Sequence, residues 1–151
     1  MIAFYVPSDE YGFLCNFSAH GFILADHYWP TVEHYFQAQK FAGTERAERI
    51  RLSRLPKEAK SLGQTRKLNL RSDWEEVKID VMRVALEAKF TTHSDLREAL
   101  VGTGDEELVE NAASDYFWGC GQLGNWAGAQ HAREIANGDS DGTEGGRQVS
   151  W

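Results

Sequence analysis

The sequence predicts an α+β fold in which helices dominate and the strands form a small antiparallel sheet. About six segments carry the start, stop and spacing signals of helices, whereas only two short apolar runs are typical of strands. The length of 151 residues is that of one ordinary domain, and a composition of 42% hydrophobic and 26% charged residues is typical of soluble globular proteins.

The two predicted strands are Ile2–Val6 and Phe22–Leu24. The stretch between them contains Gly, Ser and Asn, which are common in loops that connect strands. We therefore expect the two runs to form a small sheet.

Two helices are predicted to follow the sheet. Thr31 is suited to cap the first, which is expected to run to about Phe41 and to stop at Gly43. The second can begin at Thr44, another residue type that caps helices well.

The third and fourth helices are predicted from Pro56 and from Ser72. Proline suits the first turn of a helix, and Gly63 supplies a stop for the third one. The fourth is the clearest: Ser72 and Glu75 form a capping box, and apolar residues recur at helical spacing to about Phe90. This helix is expected to be the spine of the core.

Two more helices complete the prediction, one capped by Ser94 and ending before Gly102, the other spanning 126–136. Residues 1–136 are thus expected to form one domain. Residues 137–151 contain four glycines and almost no apolar residue before Val149, which is typical of a polar, disordered tail.

The charge balance excludes several classes of function. Sixteen Lys and Arg against 23 Asp and Glu give a net charge of −7, which disfavours strong non-specific binding to nucleic acid. No apolar run approaches the roughly 20 residues that span a bilayer, and Met1–Phe4 lacks the basic region of a signal peptide. We expect a cytoplasmic protein that makes no membrane contact.

Neither a metal nor a cofactor is expected. Cys15 and Cys120 are far apart and belong to no Cys-x-x-Cys pair, which disfavours a zinc ribbon or a disulfide scaffold. The histidines show no spacing that places two imidazoles on one helical face: His20, His27, His34, His93 and His131.

The helix after Pro30 carries candidate catalytic side chains. Glu33 and Lys40 are seven residues apart and point within about 20° of each other, with Gln37 between them. Their start points lie about 10 Å apart along the axis, which suits a substrate group held between acid and amine. The alternative is an ordinary solvated helix face.

The aromatic Trp29 precedes this helix and is a candidate to stack on a base. A helix N-terminus offers backbone N–H groups and a dipole that favour an anionic ligand. The alternative is that Trp29 is simply a core aromatic at a strand-to-helix junction.

A second cluster of candidates lies at residues 115–125. Glycines at 119 and 121 let the backbone approach a phosphate or sugar, and Asp115 is suited to a ribose hydroxyl or an anomeric carbon. The alternative is an ordinary turn, in which Asp115 supports an Asx-turn. A basic stretch of nine Lys and Arg at positions 46–71 offers phosphate contacts, although most such residues lie on solvated helix faces.

These segments together resemble the NADAR family, also called YbiA-like. The most specific is Trp-Pro-Thr-Val-Glu-His-Tyr-Phe-Gln-Ala-Gln-Lys at 29–40, and Trp-Gly-Cys-Gly at 118–121 follows in order. Shorter matches lie between and around them: Asn16-Phe17, 59–63, Trp74, Val81-Met82, Lys89-Phe90, Leu96-Arg97, 103–105, 108–110 and Asp115. The resemblance covers about residues 4–136.

The resemblance implies an N-glycosidase that cleaves the C–N bond between a ribosyl group and a base or amine. Two substrate classes are associated with the family: phosphorylated ribosylamino-pyrimidine intermediates of riboflavin biosynthesis, and ADP-ribose on guanine, including guanine in single-stranded DNA. For ADP-ribosyl-guanine, reversal of ADP-ribosylation is thought to use a lysine Schiff base. The partner is then a small nucleotide-like substrate or ADP-ribosylated DNA.

Motif positions carry the implied roles onto this sequence. Lys40 matches the Schiff-base lysine, Glu33 its proton-transfer partner and Asp115 a carboxylate near the sugar. The implied substrate contacts are Asn16, Trp29, Thr31, His34, Trp118, Gly119, Gly121 and Asn125. A rival hypothesis is a non-catalytic ADP-ribose or nucleotide-binding module, in which Lys40 and Glu33 do no chemistry.

Overall fold

The computed structural model describes residues 1–65, 69–112 and 133–134. Within these ranges lie five α-helices and four short strands, which confirms the helix-dominated α+β class. The strands are β1 (Ile2–Phe4), β2 (Phe22–Leu24), β3 (His27–Trp29) and β4 (Leu108–Glu110). The helices are α1 (Val32–Gln39), α2 (Glu45–Arg51), α3 (Pro56–Gly63), α4 (Trp74–Thr92) and α5 (Ser94–Gly102).

The first two helices begin where the sequence predicts. The side-chain oxygen of Thr31 accepts a hydrogen bond from the backbone N–H of His34, and that of Thr44 from the backbone N–H of Ala47. Each threonine thereby satisfies one of the N–H groups that a helix start leaves without a partner. Gly43 takes φ 78°, a left-handed conformation that suits glycine, and ends the connection between the two helices.

Helix α3 also keeps its predicted bounds. Pro56 occupies its first turn, and the carboxylate of Glu58 reaches back to accept from the backbone N–H groups of Arg54 and Leu55, at 3.0 and 3.3 Å. A carboxylate at this end is also favoured by the helix dipole.

The starts of α4 and α5 differ from the prediction. The capping box at Ser72 and Glu75 does not form, because α4 begins at Trp74, after Asp73, and no side chain caps it. The Asp73 carboxylate instead accepts from the guanidinium of Arg71, at 2.6 and 3.0 Å. Ser94 is the first residue of α5 and does not cap it.

The predicted pairing of the two N-terminal strands is wrong. Strand β1 pairs in parallel with β4, with Ile2 opposite Leu108 and Phe4 opposite Glu110. Strand β2 instead forms an antiparallel hairpin with β3. The hairpin turn is Ala25-Asp26, and both residues have positive φ, 52° and 61°.

Helix α1 lies at the centre of the described structure, and all eight of its residues are buried. It packs against α2, α3 and α4. The described core consists mainly of residues from α1, α4 and the segments before α1, including Phe4, Leu14, Phe22, Tyr35, Met82, Leu86 and Phe90. Helix α1 is therefore held in place by three other helices.

The predicted C-terminal helix and tail are largely outside the described residues. Arg133 and Glu134 are helical, within the predicted span of 126–136, and residues 135–151 are not described. Within the part of the chain that is described, no helix is long and apolar enough to cross a membrane.

Candidate active site

A cavity of about 250 Å³ lies beside α1, where helices α3 and α4, the loop before β2 and the end of β4 converge. Its walls combine polar, charged and aromatic side chains. The described residues that line it are Asn16, Phe17, Glu33, Phe36, Gln37, Lys40, Lys60, Gln64, Trp74, Lys78, Met82 and Glu110.

Helix α1 brings Glu33, Gln37 and Lys40 to this cavity, as their spacing predicts. The solvated-face alternative is wrong for Glu33 and Gln37, whose exposed fractions are only 7% and 3%. Nε2 of Gln37 donates to Oε1 of Glu33 at 2.7 Å. This bond between successive turns of the helix holds the carboxylate in one orientation.

Lys40 follows the last residue of α1 and keeps a right-handed helical conformation. Its Nζ donates to the carbonyl oxygen of Gly63 at 3.5 Å. The same nitrogen lies 5.7 Å from the ring centroid of Phe36 and 5.9 Å from that of Trp74. The two rings meet edge to face, 5.1 Å apart, and form an aromatic wall beside the amine.

Gly63 allows α3 to approach α1 at this point. A Cβ atom on Gly63 would lie 2.1 Å from Oε1 of Gln37 and 2.7 Å from its Cβ and Cδ. Any larger residue would therefore displace the side chain that holds Glu33.

Asn16 enters the cavity from the loop before β2. Its backbone carbonyl accepts from the backbone N–H of Glu33 at 3.1 Å, so this loop is joined to the first turn of α1. Its side chain is buried, and no donor among the described residues reaches its Oδ1. A buried carbonyl oxygen of this kind suits a hydroxyl or amine donor of a ligand.

Lys89 anchors that loop, a role the sequence reasoning missed. Its side chain is 1% exposed, and Nζ donates to the carbonyls of Phe13 and Cys15 and to Oγ of Ser18, at 2.5, 3.2 and 2.7 Å. Burial lowers the pKa of Lys89 to about 7. The available signal was its place on the apolar stripe of α4, between Leu86 and Phe90.

Other charged side chains also line the cavity. Lys60 comes from α3, Lys78 from α4 and Glu110 from the end of β4. Lys78 forms an ion pair with Glu75 at 2.5 Å. Nζ of Lys60 lies 5.8 Å from the ring centroid of Phe17. Lys60 and Glu110 fall within the short family matches at 59–63 and 108–110, whereas Lys78 belongs to no such match.

Trp29, which the sequence suggested as a stacking wall, does not line this cavity. Its ring packs edge to face on Tyr35 with centroids 4.9 Å apart, and its Nε1 donates to the carbonyl of Leu24 at 3.0 Å. It borders a second cavity, also about 250 Å³, between the β2–β3 hairpin and α2. Trp29 is therefore mainly a core residue of the hairpin.

Thr31 and His34 likewise do not line the first cavity. Thr31 Oγ1 and His34 Nδ1 are hydrogen-bonded at 2.8 Å, and Nε2 of His34 is hydrogen-bonded to the carbonyl of Ser53 at 3.0 Å. Burial lowers the pKa of His34. The pair joins the start of α1 to the connection between α2 and α3.

The remaining predicted site residues lie outside the described part of the chain: Asp115, Trp118, Gly119, Gly121 and Asn125. Much of the basic stretch makes structural bonds instead of facing the cavity. Arg46 donates to the carbonyl of Leu62, Arg51 pairs with Glu48, and Arg71 pairs with Asp73. Within it, Lys60 is the described residue that lines the cavity.

Comparison with known proteins identifies a matching family and several relatives of this chain. The NADAR domain model matches residues 3–140. The chain is 50% identical over 133 residues to N-glycosidase Npun_R5314 of Nostoc punctiforme, which covers 86% of this chain and 84% of that one. It is 40% identical over 139 residues to the maize riboflavin biosynthesis protein PYRR, chloroplastic, covering 82% of this chain and 22% of that protein.

A solved structure supports the same comparison. The chain is 45% identical over 124 residues to N-glycosidase YbiA of Escherichia coli strain K12, which covers 82% of this chain and 78% of that one. The NMR structure of E. coli YbiA is similar with a TM-score of 0.80 at 41% identity, covering 91% of this chain and 83% of that one.

Proposed function

Because the chain belongs to the NADAR domain family and is an N-glycosidase, we propose that it hydrolyses the C–N bond between a ribosyl phosphate or ADP-ribosyl group and a base or amine. The observation that carries the proposal is the convergence of Glu33 and Lys40 on one cavity with an aromatic wall. Cleavage of this bond needs a proton for the departing base and stabilisation of the sugar cation, and acid and amine can supply both.

In the proposed first step, Lys40 reacts as the neutral amine. The lone pair of its Nζ attacks the anomeric carbon, and the bond to the base breaks. The base leaves with the electrons of that bond and takes the proton of the Glu33 carboxylic acid. The Glu33 carboxylate then removes a proton from the new ribosyl-lysine nitrogen.

In the proposed second step, the nitrogen lone pair forms a C=N bond as the bond to the ring oxygen breaks. The ring oxygen takes the proton from Glu33, which leaves a protonated Schiff base on Lys40. Water then adds to the Schiff-base carbon while Glu33 accepts its proton. Collapse of the carbinolamine returns the amine of Lys40 and releases the sugar as an aldehyde, with the hydroxyl proton passing to nitrogen.

Two substrate classes fit this chemistry. Ribosylamino-pyrimidine phosphates are supported by the riboflavin biosynthesis name of the maize relative. ADP-ribosyl-guanine, free or in single-stranded DNA, would extend its adenylate half beyond the described walls. We place the first class slightly ahead.

Other contacts complete the proposal. The buried Oδ1 of Asn16 is suited to accept from a sugar hydroxyl. The resemblance to the family implies that Asp115 acts near the sugar. It also implies that the substrate contacts Trp118, Gly119, Gly121 and Asn125. The positions of Trp29, Thr31 and His34 favour support of α1 over direct contact with substrate.

Glu33→Gln tests the proposed acid. We expect release of the base to slow by about a hundredfold or more, because the amide cannot donate the carboxylic proton. The loss of rate in Glu33→Gln should be smaller for a substrate whose leaving base has a lower pKa, because such a base departs without protonation. Liquid chromatography of the released base, from both substrate classes, gives the rates, and Glu98→Gln on the exposed face of α5 is the matched control.

Two results would count against the proposal. An equal loss with every leaving group would mean that Glu33 does not protonate the base. Absence of base release from either substrate class by the native chain, with ligand still bound, would favour the rival hypothesis of a module that only binds nucleotides.

A further inference from the structure

We infer that Lys60 binds the 5′-phosphate of the substrate and makes the enzyme selective for phosphorylated ribosyl groups. The inference rests on the proposed function for the identity of the sugar. Both proposed substrate classes carry a phosphate on the ribose 5′ oxygen, as a monophosphate or as one end of a diphosphate, so the chemistry is shared.

The three lysines of the cavity have different neighbours. Lys40 contacts the Gly63 carbonyl and the aromatic wall, where the proposed function needs it as the nucleophile. Lys78 is paired with Glu75. Lys60 has no carboxylate partner among the described residues, and its Nζ lies over the face of Phe17. Its charge is therefore available to a ligand.

The position of Lys60 along α3 matches the shape of a ribosyl phosphate. Lys60 precedes Gly63 by about one helical turn, or roughly 5 Å, and the Gly63 carbonyl contacts Nζ of Lys40. In a ribosyl phosphate, the ring oxygen, C4, C5 and the ester oxygen separate the anomeric carbon from phosphorus. With the anomeric carbon at Lys40, the phosphate lies towards Lys60.

Electrostatics makes a cation necessary at this point. The chain carries a net charge of −7, and Glu110 also lines the cavity. A phosphate would be repelled here unless a basic group offsets these charges. Gln64, which directly follows α3 and also lines the cavity, adds a side-chain amide donor.

The test compares Lys60→Met with Lys57→Met, which removes an exposed lysine from the same helix outside the cavity. Base release is measured with a ribosylamino-pyrimidine, with and without its 5′-phosphate, and with ADP-ribosyl guanosine. We expect Lys60→Met to lower kcat/KM about tenfold to a hundredfold for phosphorylated substrates and to leave the dephosphorylated one nearly unchanged. Lys57→Met should match the native chain.

The substrate arms distinguish the two sources of phosphate. A Lys60-dependent loss with the monophosphate alone assigns the contact to ribosyl phosphates, and a loss with both assigns it to any 5′-phosphorylated ribose. Equal losses with and without the phosphate, or a phosphate preference that survives Lys60→Met, would overturn the inference.

Calorimetric binding of ribose 5-phosphate and of ribose separates this inference from the proposed function. If the native chain releases no base but prefers ribose 5-phosphate only while Lys60 is present, the proposed function fails and the inference stands. If the chain releases base and its phosphate preference is independent of Lys60, the inference fails and the proposed function stands.

Discussion

At the scale of single residues, the orientation of Glu33 depends on contacts from two helices. The Gln37 amide donates to its carboxylate within α1, and Gly63 on α3 leaves the space in which the Gln37 side chain lies. The carbonyl of the same Gly63 contacts Nζ of Lys40. A substitution of Gly63 should therefore displace both the carboxylate of Glu33 and the amine of Lys40.

We predict that Gly63→Ala lowers both stability and turnover. The new methyl group would lie 2.7 Å from Cβ of Gln37, an atom that cannot move without the α1 backbone. The strain is expected to cost about 1–3 kcal/mol of the free energy of unfolding, and displacement of Gln37 should lower kcat. Chemical denaturation and base release measure the two effects.

Gly102→Ala is the matched control for this prediction. A Cβ at Gly102, the last residue of α5, meets no atom within 4 Å. We expect alanine there to be neutral or slightly stabilising, because it restricts the unfolded chain. Unchanged kcat in Gly63→Ala would show that the Gln37 contact does not support catalysis.

The shared face of the proposed catalytic residues was predictable from spacing, but its support was not. Glu33 and Lys40 share a face in any helix, whatever the surroundings. The contact between Gln37 and Gly63 depends on how α3 packs on α1, which no local pattern encodes. The sequence also suggested Trp29 as a stacking wall, whereas its indole packs on Tyr35 in the core.

At the scale of elements, α4 acts through Lys89 on a loop that is more than 70 residues distant. Three hydrogen bonds from Nζ connect the middle of the core to the segment that carries Asn16 and Phe17. The buried amine of Lys89 therefore helps to hold this segment in place, together with the backbone hydrogen bond from Glu33 to Asn16.

We predict that Lys89→Met changes the pH dependence of stability. The folded pKa of about 7 lies below the ordinary value of about 10.4, so between these values the unfolded chain holds a proton that the folded chain has lost. The native free energy of unfolding should rise with pH from about 7 to 8.5, by up to about 1.4 kcal/mol per unit. This rise should be absent in Lys89→Met.

The predicted rise in the free energy of unfolding ends at about pH 8.5, because burial raises the pKa of the Cys15 thiol. Above its ordinary pKa of about 8.5, the unfolded thiol loses a proton that the folded one keeps, so its effect offsets the rise due to Lys89 and the free energy of unfolding levels off. Lys57→Met, which removes an exposed lysine, should keep the native profile. The native slope in Lys89→Met would show that Lys89 does not titrate in this range.

In the hairpin turn, we predict a substitution that raises the free energy of unfolding. Ala25 has φ 52°, a left-handed conformation that costs an alanine about 1 kcal/mol. Asparagine tolerates this conformation, so Ala25→Asn should raise the free energy of unfolding by about 0.5–1 kcal/mol. Chemical denaturation measures the gain, and Gly43→Ala, at φ 78°, should show the reverse effect. A loss of stability in Ala25→Asn would contradict this explanation of the turn.

The helices were more predictable than the strands for a physical reason. Caps at Thr31 and Thr44 are local, so their signals can be detected in the sequence itself. Ala-Asp is not a typical hairpin turn pair, so the sequence reasoning missed β3. Strand β4 was missed because it is three residues long and pairs with β1 across the length of the domain.

At the scale of the whole molecule, the cavity is assembled from segments that are far apart in sequence. Its described walls range from Asn16 to Glu110, and the pairing of β1 with β4 places Glu110 beside Phe4. The chain has a net charge of −7, and among the described walls of the cavity three lysines accompany two glutamates. The fold thus brings basic side chains from separate segments to the cavity where an anionic sugar is proposed to bind.

The central claim is that Lys40 bonds covalently to the sugar, and borohydride trapping tests it most directly. The native chain, Lys40→Ala and Lys57→Ala are each incubated with ribose 5-phosphate or ADP-ribose and a borohydride reductant, and intact masses and peptide maps are recorded. We predict a reduced sugar adduct on Lys40 in the native chain and in Lys57→Ala, and none in Lys40→Ala. An adduct that persists in Lys40→Ala, or no adduct on the native chain, would contradict the claim.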